Sequence, residues 1–271
     1  MEAELFKDEL LKTVNNNIDI LQIKDNEEWT VKGFIDVFKN IYTVSADTKV
    51  ISKVLELMLF PVISSFVGKY NLKMELAEHQ NHYPDITFIC PDGSMYALDI
   101  KSTYRTSDNR VNGFTLGAFT GYFRDRASAK NITYPYSKYD KHFVLGIIYS
   151  KQKKKINEKE IYTIDELDEI LSVIHDFEFL VQEKYKIASD KPGSGNTKNI
   201  GSIKNIQNLK NGCGPFSELG IEIFDDYWMY YLTKDMTEDE IVPYSNLGEY
   251  AKYKSISPKL SDIKNINKYL D

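Results

Sequence analysis

The sequence is short of cysteine, of uninterrupted apolar stretches and of positive charge. Cys90 and Cys213 are its two cysteines in 271 residues, far apart and in no CxxC spacing. That excludes a disulfide-built scaffold and leaves two reduced thiols. His79 and His82 form an HxxH, but no cysteine or further histidine flanks the pair at zinc-ligand spacing, so no zinc centre is expected. There is no apolar run of roughly 18 residues or more, so no transmembrane helix is expected. The opening MEAELFKDELLKTV lacks the basic start and apolar block of a secretory signal. A cytoplasmic protein without a membrane partner is the expectation. Lys and Arg number 34 against 40 Asp and Glu, a net charge of −6. Alone, that balance argues mildly against nucleic acid, because neutralising phosphates requires a basic footprint. Cations gathered in one cleft of an acidic chain would escape the argument.

What is present is ordinary globular material, 42% hydrophobic and 27% charged, in a length that suits one large domain. Residues 3–14 read as a short amphipathic helix, and 27–43 are mixed. A stronger helix starts at Ser45 or Asp47, both N-cap types, and runs through Val50, Ile51, Val54, Leu55, Leu57 and Met58. Pro61 is a point at which it kinks or ends. A β-rich block follows: Asp85 to Cys90, a turn at Pro91-Asp92-Gly93, then Met95 to Thr103. Phe143 to Tyr149 is apolar and unbroken enough for the middle of a sheet. Thr163 with Glu166 forms a capping box for a helix over 164–174, and Phe177 to Ile187 reads as a strand. Residues 188–202 turn glycine-rich and polar, and 216–233 are aromatic, a helix or an extended arm. The elements predict an α/β or α+β domain with a mixed sheet and appended segments. It occupies 1–271 as one domain, with a catalytic core at about 46–150, a loop-bearing region at about 176–205 and a C-terminal extension over 206–271.

The chemistry concentrates in the hairpin 84–101. If its strands pair antiparallel, Asp85 at the start of one meets Asp99 to Lys101 at the end of the other. Side chains at i and i+2 share a face, so Asp99 and Lys101 project together. Two carboxylates in one place repel unless a cation lies between them, and magnesium prefers carboxylate oxygens and water. Such an ion polarises a phosphodiester and acidifies bound water, and a neighbouring lysine orients that water and offsets transition-state charge. An Asp-x-Lys on an exposed strand is usually a solvated charge pair. Here Tyr96-Ala97-Leu98 and Ile100 surround it, and a charged pair in so apolar a strand needs a reason.

The ordered blocks around this hairpin are more specific. They are Asp47-Thr48-Lys49-Val50, Glu56-Leu57, Gln80-Asn81-His82-Tyr83-Pro84-Asp85, and Leu98-Asp99-Ile100-Lys101 with Thr103-Tyr104. Phe114-Thr115-Leu116-Gly117, Lys130-Asn131-Ile132 with Tyr134-Pro135, Gly193 to Thr197, and Asn199 to Ser202 complete them. In this order the chain resembles the type II restriction endonucleases of the PD-(D/E)xK superfamily, with QNHYPD and GSGNT the most specific blocks. The resemblance covers about 46–202, with Asp226-Tyr227-Trp228 as the C-terminal echo.

The resemblance implies a restriction-endonuclease-like mixed sheet flanked by helices, with DNA-reading loops and a dimerisation segment. It implies Mg2+ as cofactor, with Mn2+ a substitute, held by Asp85, Asp99 and the Ile100 carbonyl. Lys101 assists the attacking water, and Glu56 binds a second ion, unless it is merely the surface partner of Lys49 or Lys53. Gly193, Ser194, Gly195, Asn196 and Thr197 form the recognition loop, where glycines let backbone approach the bases and asparagine suits adenine. Gln80 and Asn81 approach the minor groove. Asp47 and Lys49 lie near the scissile phosphate, and Ser102, Thr103, Lys130 and Asn199 contact the backbone, positioning without specifying. The loop GSGNT implies the hexamer GATATC, cut to blunt ends with 5′-phosphates. The implied partners are double-stranded DNA, a second copy of the chain related by two-fold symmetry, and a cognate methyltransferase in the same system. Segments 27–45 and 163–174 are candidates for the dimer surface.

The chain departs from the family pattern at several places. His79 stands where a second glutamine is expected, Ser102 for a threonine, Gly121 for a serine and Lys151 for an arginine, and 120–130 is two residues longer. These touch backbone contacts more than the carboxylate–lysine core. Two other classes stay open at this point, a non-catalytic DNA-binding protein on the same fold and a structure-specific repair nuclease. The first predicts erosion of Asp85, Asp99, Lys101 and Glu56, and the second has no need of GSGNT.

Overall fold

Strand formation follows the apolar runs, and the longest helix starts at its Asp47 cap. The computed structural model describes residues 1–79, 81–154, 157, 159–193, 198–237 and 240–255. In chain order the helices are α1 (Ala3–Asn16), α2 (Thr48–Tyr70), α3 (Lys184–Ile187), α4 (Ile206–Asn211), α5 (Pro215–Leu219), α6 (Ile221–Tyr230) and α7 (Leu247–Ser255). The strands are β1 (Gly33–Ile35), β2 (Ile41–Thr43), β3 (Lys73–Leu76), β4 (Ile86–Ile89), β5 (Met95–Ser107), β6 (Arg110–Val111), β7 (Thr115–Ala118), β8 (Lys141–Lys151), β9 (Ile161–Tyr162), β10 (Ile174–Glu183), β11 (Ala188–Pro192) and β12 (Asn199–Ser202).

The central sheet runs β10-β8-β5-β4-β3, with β6 attached to β5. It is mixed: β5 and β8 are parallel, and the other pairs are antiparallel. FVLGIIY therefore lies inside the sheet as its composition predicts, flanked on both sides. Two smaller sheets, β1-β2-β9 and β11-β12-β7, are appended.

Alternation along the strands divides the core into two layers. Leu98, Leu145, Ile147 and Phe179 face α1 and α2, meeting Phe6, Leu10, Ile51, Leu55 and Phe66. Ala97, Val144, Ile148 and Leu180 face the other way, toward Tyr83, Phe119, Phe123 and the aromatic side chains of α6 and α7. The C-terminal extension thus closes one face of the sheet. Each large apolar side chain buried in this way contributes about 1.5–3 kcal/mol of transfer free energy.

Asp47 caps α2, its carboxylate accepting from Lys49 N–H at 2.8 Å and from Val50 N–H. The helix then continues through Pro61 rather than ending there. Pro61 sits on the solvent side, as does Leu57, whose carbonyl loses its i+4 donor; water satisfies an exposed carbonyl at little cost. By length and composition α2 is also apolar enough to cross a bilayer. The core helix of a globular domain passes the same test, and the stripe Ile51, Leu55, Leu59, Val62, Ile63 and Phe66 is buried inside the protein.

Three boundaries differ from those the sequence predicts. The capping box at Thr163 is present, but the helix is a 3-10 turn over Ile164–Glu169. Ile170 leaves it in extended conformation, because Val173 and Ile174 are drawn into the core under α1. The strand expected over 177–187 begins at Ile174 and stops at Glu183, where α3 takes a single turn. The mixed segment 27–43 contains the hairpin β1–β2, and the aromatic stretch after 215 is helical.

Candidate active site

Asp85 is brought to the sheet by two seams. On one side, Tyr83 N–H donates to the Asn131 carbonyl and Thr133 N–H to the Tyr83 carbonyl, stitching QNHYPD to the KNI block. On the other, β4 pairs with β5 in the register Ile86↔Leu98 and Thr87↔Ala97. Gly93, at φ 87°, lets the connecting turn close. The next pair out on that ladder is Asp85 with Asp99, which is the antiparallel juxtaposition predicted from the hairpin.

The side chains converge. Asp85 Oδ2 accepts the Ile100 N–H at 2.7 Å. Lys101 Nζ lies 3.0 Å from Asp99 Oδ2 and 3.6 Å from Asp85 Oδ2. Asp99 is buried, while Asp85 and Lys101 are partly so. Burial, then the charge of Asp99, pushes the Asp85 carboxyl up to about 6, although Lys101 and the Ile100 N–H pull the other way. Burial opposes the charge on Lys101, but Asp99 and Asp85 outweigh it and hold the ammonium above its ordinary value. Lys101 thus serves as the counter-charge to both carboxylates.

These three residues line a cleft of about 570 Å³ with Asn81, Tyr83, Gly117, Tyr122, Lys130 and Asn199. Asp85 is shared with a second cleft that contains Lys53, Glu56, His79 and Ile100. Glu56 thus looks toward Asp85 from α2, and its carboxylate is paired with Lys53 at 2.7 Å. Among the described residues, no three His, Cys, Asp or Glu side chains form a ready metal cage. A hard cation such as magnesium needs less: one or two carboxylates with several retained waters. The donor set Asp85, Asp99 and the adjoining backbone fits that requirement.

The remaining predicted contact residues divide. Asn81, Lys130 and Asn199 are in the active cleft, with Asn81 Nδ2 donating to Asn131 Oδ1 at 3.4 Å. Asp47 and Lys49 are exposed at the first turn of α2. Ser102 shares a 2.7 Å hydrogen bond with Ser52 of α2, which keeps it in the sheet–helix contact, and Thr103, on the opposite face of β5, is 3% exposed, so no Thr103 hydroxyl is offered at the surface. Gly193 ends β11's hairpin arm, its N–H on the Asn199 carbonyl at 2.9 Å. Ser194, Gly195, Asn196, Thr197 and Gln80 lie outside the described residues.

Sequence reasoning missed the wall behind the cleft. Tyr83, Tyr122 and Tyr136 stack in series, and His142 stacks on Tyr136 with its Nδ1 2.7 Å from Tyr83 Oη. Lys184 is buried among them. The one signal for it was a lysine at the end of a largely buried strand, three residues after the apolar Phe179-Leu180-Val181.

Comparison with known proteins adds to this geometry. Residues 25–255 match the family model described as "Restriction endonuclease EcoRV". The chain is 35% identical over 233 residues to the type II restriction enzyme EcoRV of Escherichia coli, covering 84% of this chain and 92% of that one. Among solved structures it resembles the NlaIV restriction endonuclease at TM-score 0.38 and 10% identity, over 82% of this chain and 85% of that chain.

Proposed function

Because the chain belongs to the EcoRV family of type II restriction endonucleases, we propose that it hydrolyses the phosphodiesters of duplex DNA in a magnesium-dependent reaction at Asp85, Asp99 and Lys101. DNA is the substrate class of the family; the metal, the residues and the target are this reading. The observation that carries it is the convergence of Lys101 Nζ on Asp99 and Asp85 at 3.0 and 3.6 Å.

The divalent ion supplies charge to a phosphate oxygen and a more acidic bound water. Asp85 and Asp99 would hold it, with the Ile100 carbonyl as a further donor. The hydrogen bond from Ile100 N–H fixes Asp85, so no reorganisation is needed when substrate enters. Lys101, held protonated, donates to the attacking water or the developing oxyanion. Glu56 is placed to approach a second ion if its pairing with Lys53 is given up.

The intact sequence GSGNT supports reading of GATATC, with blunt ends and 5′-phosphates. Asn81 and Gln80 are assigned to the minor groove, and Lys49, Lys130 and Asn199 to phosphates. A net charge of −6 is compatible with this because cations are local: Arg110, Lys191 and Lys204 line a groove with Gly193, at the base of the recognition loop. A palindromic target requires a two-fold dimer. The surface for it is the small sheet β1-β2-β9 with its following turn, where Phe34, Ile35, Val37, Phe38, Ile161 and Ile164 are exposed. A cytoplasmic enzyme paired with a cognate methyltransferase completes the reading.

The test is digestion of plasmid DNA with magnesium, followed by sequencing of the fragment ends. Discrete blunt ends within GATATC are expected. Ends within another sequence overturn the assigned target, and diffuse digestion overturns site specificity. Lys101→Met is expected to stop cutting while duplex binding persists; cutting that survives it overturns the assigned centre.

A further inference from the structure

The most anomalous group outside the reacting trio is Lys184. Its side chain is 2% exposed, and its Nζ is buried without a protein hydrogen-bond partner. An isolated buried ammonium is costly, and structures seldom retain one without compensation. Here the compensation is aromatic and electrostatic. The Nζ lies 4.9 Å from the centre of the Tyr83 ring, 5.6 Å from Phe123 and 5.7 Å from Tyr136, within cation–π range. Burial pushes this lysine down to about 8; among its neighbours Asp99, then Asp225, hold the charge on it, while Lys101 and Arg126 oppose it.

Its position ties it to the cleft. A Cβ built on Gly117 would come 3.5 Å from Lys184 Nζ and 3.5 Å from Tyr122 Oη. Gly117 and Tyr122 line the cleft together with Asp85, Asp99 and Lys101. Gly117 adopts φ +91°, a conformation glycine takes without strain, and it puts no side chain between the ammonium and the cleft. The ammonium therefore lies against a wall of the cleft that holds the carboxylate pair, with Asp99 the foremost charge acting on it, in surroundings where a charge is poorly screened.

We infer that Lys184 is a positioning residue acting through the field at Asp85 and Asp99, a built-in counter-charge that loosens their hold on a divalent cation and strengthens the cleft's hold on DNA phosphate. This rests on the reading that Asp85 and Asp99 bind such a cation. The two effects have opposite signs, and that separates the inference from a merely structural lysine. Loss of packing weakens both kinds of binding together. Loss of a field tightens cation binding and weakens phosphate binding.

The test uses calcium ion, so that cleavage does not intervene, and a 20-base-pair duplex containing GATATC. Calcium binding to the DNA-free protein is measured by calorimetry, and duplex binding without metal by fluorescence anisotropy. For Lys184→Met, calcium binding is expected to tighten roughly five-fold and duplex binding to weaken by a similar factor, on the scale of one partly screened unit charge. Unchanged values, or weakening of both, overturn the inference. If wild-type protein binds no calcium, the metal reading itself falls, and this inference with it. A measurement on wild-type protein covers the case in which the variant does not fold. With 13C-lysine labelling, the side-chain resonance that titrates well below the other lysines should have its midpoint lowered further by calcium. A midpoint indifferent to calcium overturns the inference.

Discussion

The Ile100 N–H donates to the Asp85 carboxylate at 2.7 Å, so the backbone of one strand orients a carboxylate of the candidate site that lies at the start of the other. An amide at position 85 keeps an oxygen acceptor for that bond and loses the charge. Asp85→Asn is therefore expected to fold normally, with its thermal midpoint within a few degrees of wild type, while plasmid cleavage in magnesium falls by about three orders of magnitude. Cleavage rate and thermal melting on one preparation decide it; retained cleavage removes Asp85 from the centre.

How much of this was readable in the sequence depends on how local each feature is. Asp85, Asp99 and Lys101 were legible because a tight turn and strand alternation are short-range rules, and the register Ile86↔Leu98 follows from them. The capping box at Thr163 was legible, but the length of its helix was not, since Ile174 answers to packing under α1 rather than to the cap. The tie between Ser102 and Ser52 depends on where α2 crosses β5, and the burial of Thr103 on what covers the opposite face, neither of which a local pattern encodes. Lys184 was illegible for the same reason. Its ring partners Tyr83, Phe123 and Tyr136 come from distant segments, and in sequence it is one lysine among many.

His142 makes acid stability testable. It is buried between Tyr136 and Tyr83, and burial, with Lys184 and Arg126, drives its ring well below the ordinary histidine value. The native protein keeps it neutral while the unfolded chain protonates it near pH 6.5. Its contribution is thus fully present above pH 6.5 and is lost as the pH falls below that, by at most about 1.4 kcal/mol per pH unit. Asp85, raised to about 6, works in the opposite sense and is common to both proteins compared. Urea denaturation of wild type and His142→Phe between pH 7.5 and 5 should show a shallower acid limb in the variant, even though losing the Tyr83 partner lowers its stability at pH 7.5. Parallel limbs would falsify the assignment.

The groove lined by Arg110, Lys191 and Lys204 predicts a salt dependence. Lys191 also feels the acidic Glu249, so Arg110 and Lys204 carry the cleaner test. Each phosphate contact contributes about one unit to the slope of log K against log salt. Arg110→Ala and Lys204→Ala should each lower that slope by about one, and binding should weaken by a similar factor on cognate and non-cognate duplexes. A slope unchanged in both variants would place the DNA elsewhere. A loss confined to cognate duplex would make these residues base readers rather than backbone contacts.

The assembly prediction turns on the hairpin β1–β2. Val37 and Phe38, at its tip, are 90% and 81% exposed, and Phe34, Tyr42 and Ile161, cross-strand neighbours, form one exposed face of the sheet behind it. An exposed apolar surface of this kind marks an interaction site, and β2 pairs antiparallel with β9, so the face belongs to a three-stranded sheet rather than a loose loop. A carboxylate inserted at the centre of an isologous contact meets its own copy across the two-fold axis, so each substitution is felt twice. Phe38→Asp is expected to convert a dimer to a monomer in sedimentation-velocity runs at micromolar concentration. Its thermal midpoint, measured on a stabilised monomer fraction, should stay close to that of wild type, because Phe38 buries little within its own chain. Cleavage should then change in kind as well as in rate. A monomer presents one Asp85–Asp99–Lys101 centre to a two-stranded target, so supercoiled plasmid should accumulate as the nicked circle before any linear product forms. Linear product appearing at once from a Phe38→Asp monomer would locate the second strand's cutting centre elsewhere.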